Sequence, residues 1–504
     1  MIFRFTALPV LAGMTFMAGC ASHAGPDYTP TALSAATATA WQTPQADALR
    51  DTVPHAGSTR RLADWWAQFN DAALDALMAA AQKESGTLTQ AAASIERARA
   101  DAVAAGVAAS PSLDAIASAN RAALSLGGPA VLRSQTQVGV QSSWEIDLFG
   151  GLARQRESAE ATLAASVASW HEARVSLAAE VANAYAGYRL CELQVRLGAA
   201  DANSRAESAR MAAASGKAGF ESAAGVALAQ AAAAESAAAL SQRRAQCELS
   251  VKGLVALTAM DEAALRALLN KSGAAKLPEP PQFRIDAIPA RVLAQRPDIA
   301  AAERKLAAAS ADIGHAEADR YPRLTLAGSI TPTRLAFGSA PAFSLTTWSI
   351  GPSLVLPLID GGRRSANVEA VRAQYAAAES AYRGKVRGAV REVEEALVQL
   401  ASTTEREAHI ATSARSHRAN LAAAQAKFQT GLGGELELEE ARRLSLAADA
   451  TQLALTHERL AAWIALYRAA GGGWDADTMS SANSVTSAVT SAVTSTVTSA
   501  GTSR

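Results

Sequence analysis

The chain is poor in aromatic residues and carries no net charge. Aromatic side chains make up 5% of its 504 residues, and 47 basic residues balance 47 acidic ones to a formal charge of +0. Few aromatics and much Ala, Leu, Val, Arg, Glu and Gln favour long helices packed through small residues over mixed globular domains. Because no basic run or aromatic-basic patch occurs, we expect no nucleic-acid partner.

The sequence also lacks the groupings on which enzymes and metal proteins depend. Its seven histidines include no pair at helical ligand spacing, and its three cysteines form no cluster with histidine. We therefore expect no metal and no cofactor. No glycine-rich phosphate loop follows a strand, and no nucleophile can be paired with a base. We expect a protein that is not an enzyme.

An export signal opens the chain. MIFRFTALPVLAGMTFMAGC has a basic start at Arg4, an apolar run too short to span a bilayer, and small residues before Cys20. Small residues directly before a cysteine resemble the bacterial lipoprotein box, in which that cysteine is lipidated and becomes the mature N-terminus. An ordinary cleavage site is the alternative. Since one acyl chain anchors only marginally, stable attachment to outer-membrane lipid needs more than one.

Two stretches alternate apolar and polar residues and then end in paired glycines. VGVQSSWEIDLFGG covers residues 138–151 and WSIGPSLVLPLIDGG covers residues 348–362, with their apolar side chains on even positions. A period of two predicts strands with one apolar face. Each is preceded by a weaker strand, at residues 112–119 and 323–331. The strand-to-helix junctions are expected at the glycine pairs Gly150, Gly151, Gly361 and Gly362.

Two landmarks show that the chain is an internal repeat. Pro322 minus Pro111 is 211, and Gly361 minus Gly150 is also 211. Each copy reads as helix, strand, strand, long helix and helix, so a duplicated unit is predicted. The long helices, at about 60 residues each, would be rods of roughly 90 Å.

The predicted organisation follows from the repeat and from the composition of the segments around it. It comprises a signal peptide (1–19), a lipidated extended segment (20–61), the first repeat (62–275), a Pro-rich linker (276–287), the second repeat (288–474) and a disordered Ser/Thr/Val tail (475–504).

Four alternating strands per chain fit the pattern of a membrane barrel. The alternative, a soluble two-sheet module, is less consistent with an export signal and two equally spaced copies. Four strands cannot close in lipid, where each unpaired edge group costs several kcal/mol. The barrel must therefore be shared, with eight strands from two chains or twelve from three. In this register Trp144 lies near the lipid interface, and Glu145 and Asp147 face the lumen.

Five motifs resemble the TolC-like outer-membrane factor family, in its lipoprotein branch that serves resistance-nodulation-division (RND) efflux pumps. They are GPDY after Cys20, ADWWAQFND, SWEIDLFGG, the pair LAQRPDIAAAE and DIGHAEADRYPRLTL counted as one motif, and WSIGPSLVLPLIDGG. The resemblance implies a mainly α fold, in which long antiparallel coiled-coil helices form a periplasmic α-barrel. It also implies a homotrimer in which four strands per chain build a shared 12-stranded barrel in the outer membrane. A periplasmic adaptor protein and an inner-membrane RND transporter are the implied partners.

The turn of the second helical hairpin resembles the family segment that carries an acidic ring at the tunnel entrance. In GLGGELELEEAR, Glu437 and Glu440 occupy the two acidic positions, and their spacing places both on one helix face. Three chains would gather six such carboxylates, favouring cations. The alternative is a solvated helix start. The first hairpin departs from the family, with Ala224 at the acidic position and Glu221 as the nearest carboxylate.

Cys191 and Cys247 lie 28 residues on either side of Gly219, in the middle of the first turn. Positions equidistant from the turn of an antiparallel hairpin face each other, so the two thiols could form a disulfide. Two buried free thiols are the alternative.

The leading function is a passive outer-membrane exit duct for drugs or other toxic small molecules in an efflux pump. The alternatives are the duct of a type I protein-secretion system and a structural coiled-coil lipoprotein of the cell envelope. A brace needs no barrel, and the lipid anchor favours efflux over type I secretion. The expected location is the outer membrane, with a lipid anchor and an extension into the periplasm.

Overall fold

The computed structural model describes residues 24–30, 33, 40–43, 62, 65–125, 130–271, 276–283, 285 and 289–474. Cys20, the signal sequence and the tail that begins at residue 475 lie outside these residues. The chain forms two compact units. The first comprises Met1–Thr31, Ser94–Val167 and Ala301–Tyr382, and the second comprises Ala32–Ala93, Ala168–Ala300 and Arg383–Arg504.

The described residues contain nine α-helices and four strands. They are α1 (Ala72–Glu84), α2 (Gly86–Val107), β1 (Ser112–Leu124), β2 (Val131–Ile146), α3 (Gly151–Lys217), α4 (Ala223–Thr258), α5 (Glu262–Lys271), α6 (Pro289–Leu293), α7 (Pro297–Ala318), β3 (Arg323–Phe337), β4 (Phe343–Val355), α8 (Arg363–Gln429) and α9 (Glu435–Ala469). The order α2, β1, β2, α3, α4 recurs as α7, β3, β4, α8, α9.

The first unit contains one antiparallel sheet with the strand order β1-β2-β3-β4. Its register places Ala115 beside Val140, Val140 beside Ile330, and Ile330 beside Trp348. All four connections to helices leave from one end of the sheet, and the strand ends Leu124, Val131, Phe337 and Phe343 lie at the other. The strands have 13 to 16 residues, so they extend further towards the hairpins than the sequence predicted.

The two long helices, α3 and α8, have 67 residues each. At 1.5 Å per residue each is about 100 Å long, slightly more than predicted. Each turns back on the next helix at a glycine with positive φ, Gly219 at 78° and Gly431 at 73°. Ion pairs join α8 to α9 in antiparallel order, from Arg406 with Glu458 (2.5 Å) to Lys427 with Glu437 (2.8 Å).

Two helices predicted as continuous are broken by local capping. After a 3₁₀ turn at Trp66–Phe69, Asn70 is left-handed, and the Asp71 carboxylate accepts hydrogen bonds from the first turn of α1. The Ser85 hydroxyl accepts from the Leu88 N–H (3.3 Å) and begins α2. The predicted helix before Pro322 is likewise divided into α6 and α7, because α7 begins at Pro297, where an N–H is not required. Helix α5 was not predicted.

Trp65 lies at the centre of the core of the second unit. It is 1% exposed, stacks on Tyr467 (5.0 Å between ring centroids), and meets Phe283 edge-on (5.4 Å). Its Nε1 donates to the Pro281 carbonyl oxygen (2.9 Å). Part of the predicted linker is therefore packed against the core.

Residues 24–28, which follow Cys20, are hydrogen-bonded to other segments of the first unit. The Ala24 N–H donates to the Phe149 carbonyl oxygen (3.0 Å), and Tyr28 donates to Glu303 (2.9 Å). The buried Arg154 binds Asp27 (2.5 Å) and the Ala24 carbonyl oxygen (3.2 Å). These bonds fix residues 24–28 beside the corner where β2 passes into α3.

Candidate channel-forming surfaces

One face of the sheet is apolar and exposed. The register places Val140, Ile330 and Trp348 side by side on this face. Trp348 is 74% exposed and Ile350 71%. An apolar patch of this extent on a protein surface marks contact with lipid or another protein. Trp144 lies on this face near the helix end of β2, and its Nε1 donates to the Ala109 carbonyl oxygen (2.9 Å).

The opposite face is polar over the same rows of the sheet. The hydroxyls of Ser329 and Ser349 are hydrogen-bonded across β3 and β4 (3.0 Å), and Glu145 pairs with Arg323 (3.2 Å). Glu145 therefore lies on the polar face, as expected. Asp147 does not lie on the strand, because β2 ends at Ile146.

Asp147 and Asp360 cap the two long helices instead of lining a lumen. The Ala153 N–H donates to Asp147 (2.8 Å), and the backbone N–H groups of Gly362 (3.0 Å) and Arg364 (3.1 Å) donate to Asp360. These two bonds, together with the Arg364 side chain, lower the pKa of Asp360. The two carboxylates satisfy free N–H groups in the first helical turns.

Three of the four corner glycines have a backbone conformation that favours glycine. The φ angles of Gly150, Gly361 and Gly362 are 75°, 66° and 87°. Gly151 has no positive φ and is the first residue of α3. A Cβ at this position would lie 3.0 Å from the Cβ of Ala318, so close packing against α7 accounts for this glycine.

At the turn between α8 and α9, both predicted acidic residues have basic partners. Glu437 accepts from Lys427 Nζ (2.8 Å), and Glu440 pairs with Arg443 one turn further along α9. The structure thus places both carboxylates on the exposed side of α9 and partly compensates their charge. The basic partners were not identified from the sequence.

Glu435 and Glu439 lie on the other side of the same helix and were not predicted. Glu439 is 9% exposed, accepts from the Ser204 hydroxyl on α3, and binds Arg442 (2.6 Å). Arg442 also contacts the Ser204 hydroxyl (3.1 Å). Burial raises the pKa of Glu435, and the nearby Glu439 raises it further. Ser204, Glu439 and Arg442 link the two helical hairpins. In the sequence, the only signal for this contact is the (i, i+4) spacing of Glu435 and Glu439.

The structure places Cys191 and Cys247 opposite each other, on α3 and α4. Their Cα atoms are 5.6 Å apart and their sulfurs are joined in a disulfide. This separation is the usual one for a disulfide. Among the described residues, no group of His, Cys, Asp and Glu could hold a metal ion.

Comparison with known proteins identifies the family of the chain. A family model described as outer membrane efflux protein matches residues 77–260 and 288–472. The chain is 32% identical over 417 residues to the outer membrane protein OprJ of Pseudomonas aeruginosa, covering 82% of this chain and 86% of OprJ. It is 30% identical to nodulation protein T of Rhizobium leguminosarum bv. viciae, covering 86% of this chain and 89% of that protein.

A solved structure of the outer-membrane channel OprN superimposes with a TM-score of 0.77 at 29% identity, covering 90% of this chain and all of that one. The predicted fold is confirmed: long antiparallel helices of an α-barrel, with four strands that each chain contributes to a shared barrel. The predicted function, the outer-membrane channel of a tripartite RND-type efflux pump, is also confirmed, and neither alternative is favoured. With the family model matching both halves of the repeat, the chain belongs to the outer membrane efflux protein family.

Proposed function

We propose that three copies of this chain form a passive exit duct, which a periplasmic adaptor protein joins to an inner-membrane RND transporter. The observation that carries the proposal is a four-stranded sheet with an exposed apolar band on one face and two unpaired edges, β1 and β4. Lipid does not tolerate unpaired edges, so β4 of one chain pairs with β1 of the next. Three chains supply twelve strands, as the family resemblance implies.

Helix α4 supports an assembly of several chains. Only 6% of its most apolar stretch is buried inside the chain, although the helix is apolar enough to cross a membrane by composition. An alanine-rich exposed face allows close helix packing. We propose that α4 packs against a neighbouring chain in a periplasmic helical tunnel.

A lipid anchor at Cys20 agrees with the position of the segment that follows it. The bond from Ala24 to Phe149 fixes the chain at the corner between β2 and α3, where a membrane barrel would end. Three residues lie between Cys20 and Ala24, and the four Cα-to-Cα steps span at most about 14 Å. Acyl chains on Cys20 would therefore reach the adjacent leaflet of the outer membrane.

Glu437 and Glu440 are proposed to form the acidic ring of the periplasmic gate. With Glu437→Gln and Glu440→Gln together, reconstituted channels should lose part of their preference for K⁺ over Cl⁻, since six carboxylates are removed. The loss should be partial, because Lys427 and Arg443 already compensate the ring. Reversal potentials in a KCl gradient measure this preference. Glu405→Gln, an exposed position on α8, is the control, and an unchanged reversal potential in the double variant would exclude the ring.

The duct function is tested by gene deletion, complementation with the full chain, and a toxicity panel of dyes, antibiotics, aromatic acids and metal salts. Sensitivity that the full chain reverses, together with a purified trimer and capture of an adaptor protein, is the expected result. An unchanged panel with a monomeric product would contradict the proposal. The panel also distinguishes drug from metal cargo.

A further inference from the structure

The strands of the sheet are longer than the apolar band that faces lipid. On β2, the apolar positions of that face run from Val138 to Ile146, nine residues. At 3.3 Å per residue and a tilt of about 40°, nine residues span roughly 23 Å, close to the apolar band of membrane barrels. The seven further residues of β2, from Val131, therefore extend beyond the lipid at the hairpin end.

The polarity of both faces changes beyond this band. On the outward face, the rows nearest the hairpins contain Thr136 beside Arg334, and Ser134 beside Arg121. Leu132 is the exception in the last row. Side chains of this kind suit headgroups and water instead of acyl chains.

On the inward face of the same rows, four apolar side chains from β3 and β4 replace the serines and threonines found nearer the helices. We call Leu335, Phe337, Phe343 and Leu345 the apolar collar. Leu335 and Phe343 are cross-strand partners, and the rings of Phe337 and Phe343 stack at 6.4 Å with an interplanar angle of 20°. Strands β3 and β4 thus present apolar groups inward where no lipid requires it, whereas the same rows of β1 and β2 present Asn120, Gln135 and Arg133.

Within a closed barrel, these side chains face the lumen and their copies in the other chains. A barrel of eight strands is filled by its side chains, and one of sixteen leaves an aqueous channel, so twelve strands leave a gap that side chains narrow but do not fill. Apolar constrictions of this kind impede ions and polar solutes because water leaves them readily.

We propose that the apolar collar is a hydrophobic constriction at the outer mouth of the duct. It excludes hydrated ions and polar solutes that approach from outside, whereas apolar and amphiphilic cargo passes. The proposal rests on the trimeric barrel of the proposed function.

Arg133 is the charged side chain on this face within the collar rows. It pairs in register with Phe337, and its Nη2 donates to Gln135. A ring of three guanidinium groups could also impede solutes by charge, so the test must separate charge from apolarity.

The test measures how fast a bulky maleimide, excluded by general porins, labels single cysteines from outside intact cells. Val131→Cys reports on the hairpin side of the collar and Ser353→Cys on the helix side, with the parent chain as background. We expect Ser353→Cys to be labelled at least about tenfold more slowly than Val131→Cys. This ratio is equivalent to a barrier of roughly 1.4 kcal/mol. Phe337→Ser with Phe343→Ser should bring the two rates within about twofold, whereas Phe337→Leu with Phe343→Leu should keep them apart.

Equal rates for the two reporters in the otherwise native chain would overturn the collar and leave the barrel intact. The collar would also be overturned if Arg133→Gln removed the difference between the two rates and the serine variants retained it. Failure of both cysteines to react, although both react after denaturation, would instead contradict the water-filled barrel of the proposed function. Heat-stable trimers on gels verify assembly, and Leu345→Gln serves as the second variant if the double serine variant does not assemble.

Discussion

The imidazole of His171 is neutral at physiological pH and lies among aromatic side chains of the second unit. It meets Trp170 edge-on (5.0 Å) and lies 6.3 Å from Trp474, and its Nδ1 has no hydrogen-bond partner. Burial, with a smaller effect from Arg174, lowers its pKa from 6.5 to about 4. Since the folded pKa is below the unfolded one, this site's contribution to stability is complete above pH 6.5 and is lost as the pH falls towards 4.

We expect His171→Phe to remove part of this acid sensitivity. The wild-type site should lose up to about 3 kcal/mol between pH 7.5 and pH 4, the value of the pKa shift. Thermal unfolding of the purified channel at several pH values measures the effect. His409→Gln, at an exposed position on α8, is the control and should retain the wild-type pH dependence. A His171→Phe profile identical to wild type would refute the assignment.

Glu435 should weaken the turn between α8 and α9 at neutral pH. Its raised pKa means that the folded state holds the proton more strongly than the unfolded state, so stability falls as the pH rises from 4.5 through the folded pKa. Glu435→Gln should therefore slow amide hydrogen exchange around the turn at pH 7 and leave it unchanged well below pH 4.5. Glu437→Gln, on the exposed side of the same helix, is the comparison, and equal protection in both variants would argue against burial as the cause.

For single residues, the sequence predicted which side chains are acidic but not what surrounds them in the structure. The segment GLGGELELEEAR indicated an acidic turn, yet its Glu439 is buried because Ser204, 235 positions away, lies beside it. Lys427 approaches Glu437 only through the turn geometry. Such contacts depend on the register between hairpins, which no local pattern encodes.

Among the elements, the sheet allows a direct test of which face meets lipid. Trp348 and Ser349 are neighbours on β4 with opposite faces. A lysine on the lipid face of a membrane barrel costs about 2 to 4 kcal/mol at the midplane, whereas the lumen face tolerates charge. We expect Trp348→Lys to reduce the yield of heat-stable trimer strongly and Ser349→Lys to leave it near wild type. The reverse result would mean that the register is shifted by one residue and that Ser349 faces the lipid.

Elements with a strong periodicity could be predicted, and those defined by a single cap could not. The strands and both long helices follow from periods of two and of three to four residues. The break at Ser85 depends on one hydroxyl that accepts from Leu88, and α5 is a short helix begun by Asp261, which accepts from Ala263 (3.0 Å). Ser85 and Asp261 are each compatible with a continuous helix or a loop until tertiary contacts select one.

For the whole molecule, closure of the barrel was predicted by counting strands, and the way the hairpins are held together was not. The shared offset of 211 residues established two copies of one unit. Four strands in one open sheet then required other chains. The group of Ser204, Glu439 and Arg442 joins α3 to α9. If the proposed gate opens at the turn between α8 and α9, we expect this group to separate.

A reversible tether across that group tests whether the three chains open together. In a chain with Ser204→Cys and Glu439→Cys, a short thiol-specific crosslinker should block export, and a reductant should restore it. Arg418→Cys with Gln452→Cys is the matched control, because those side chains (3.1 Å apart) join α8 to α9 within one hairpin and need not separate. If a single tethered chain closes a shared duct, equal co-expression with wild type leaves about one eighth of random trimers free of tethers. Export should then fall to about one eighth of the wild-type rate. If the chains open independently, about half of the wild-type export should remain.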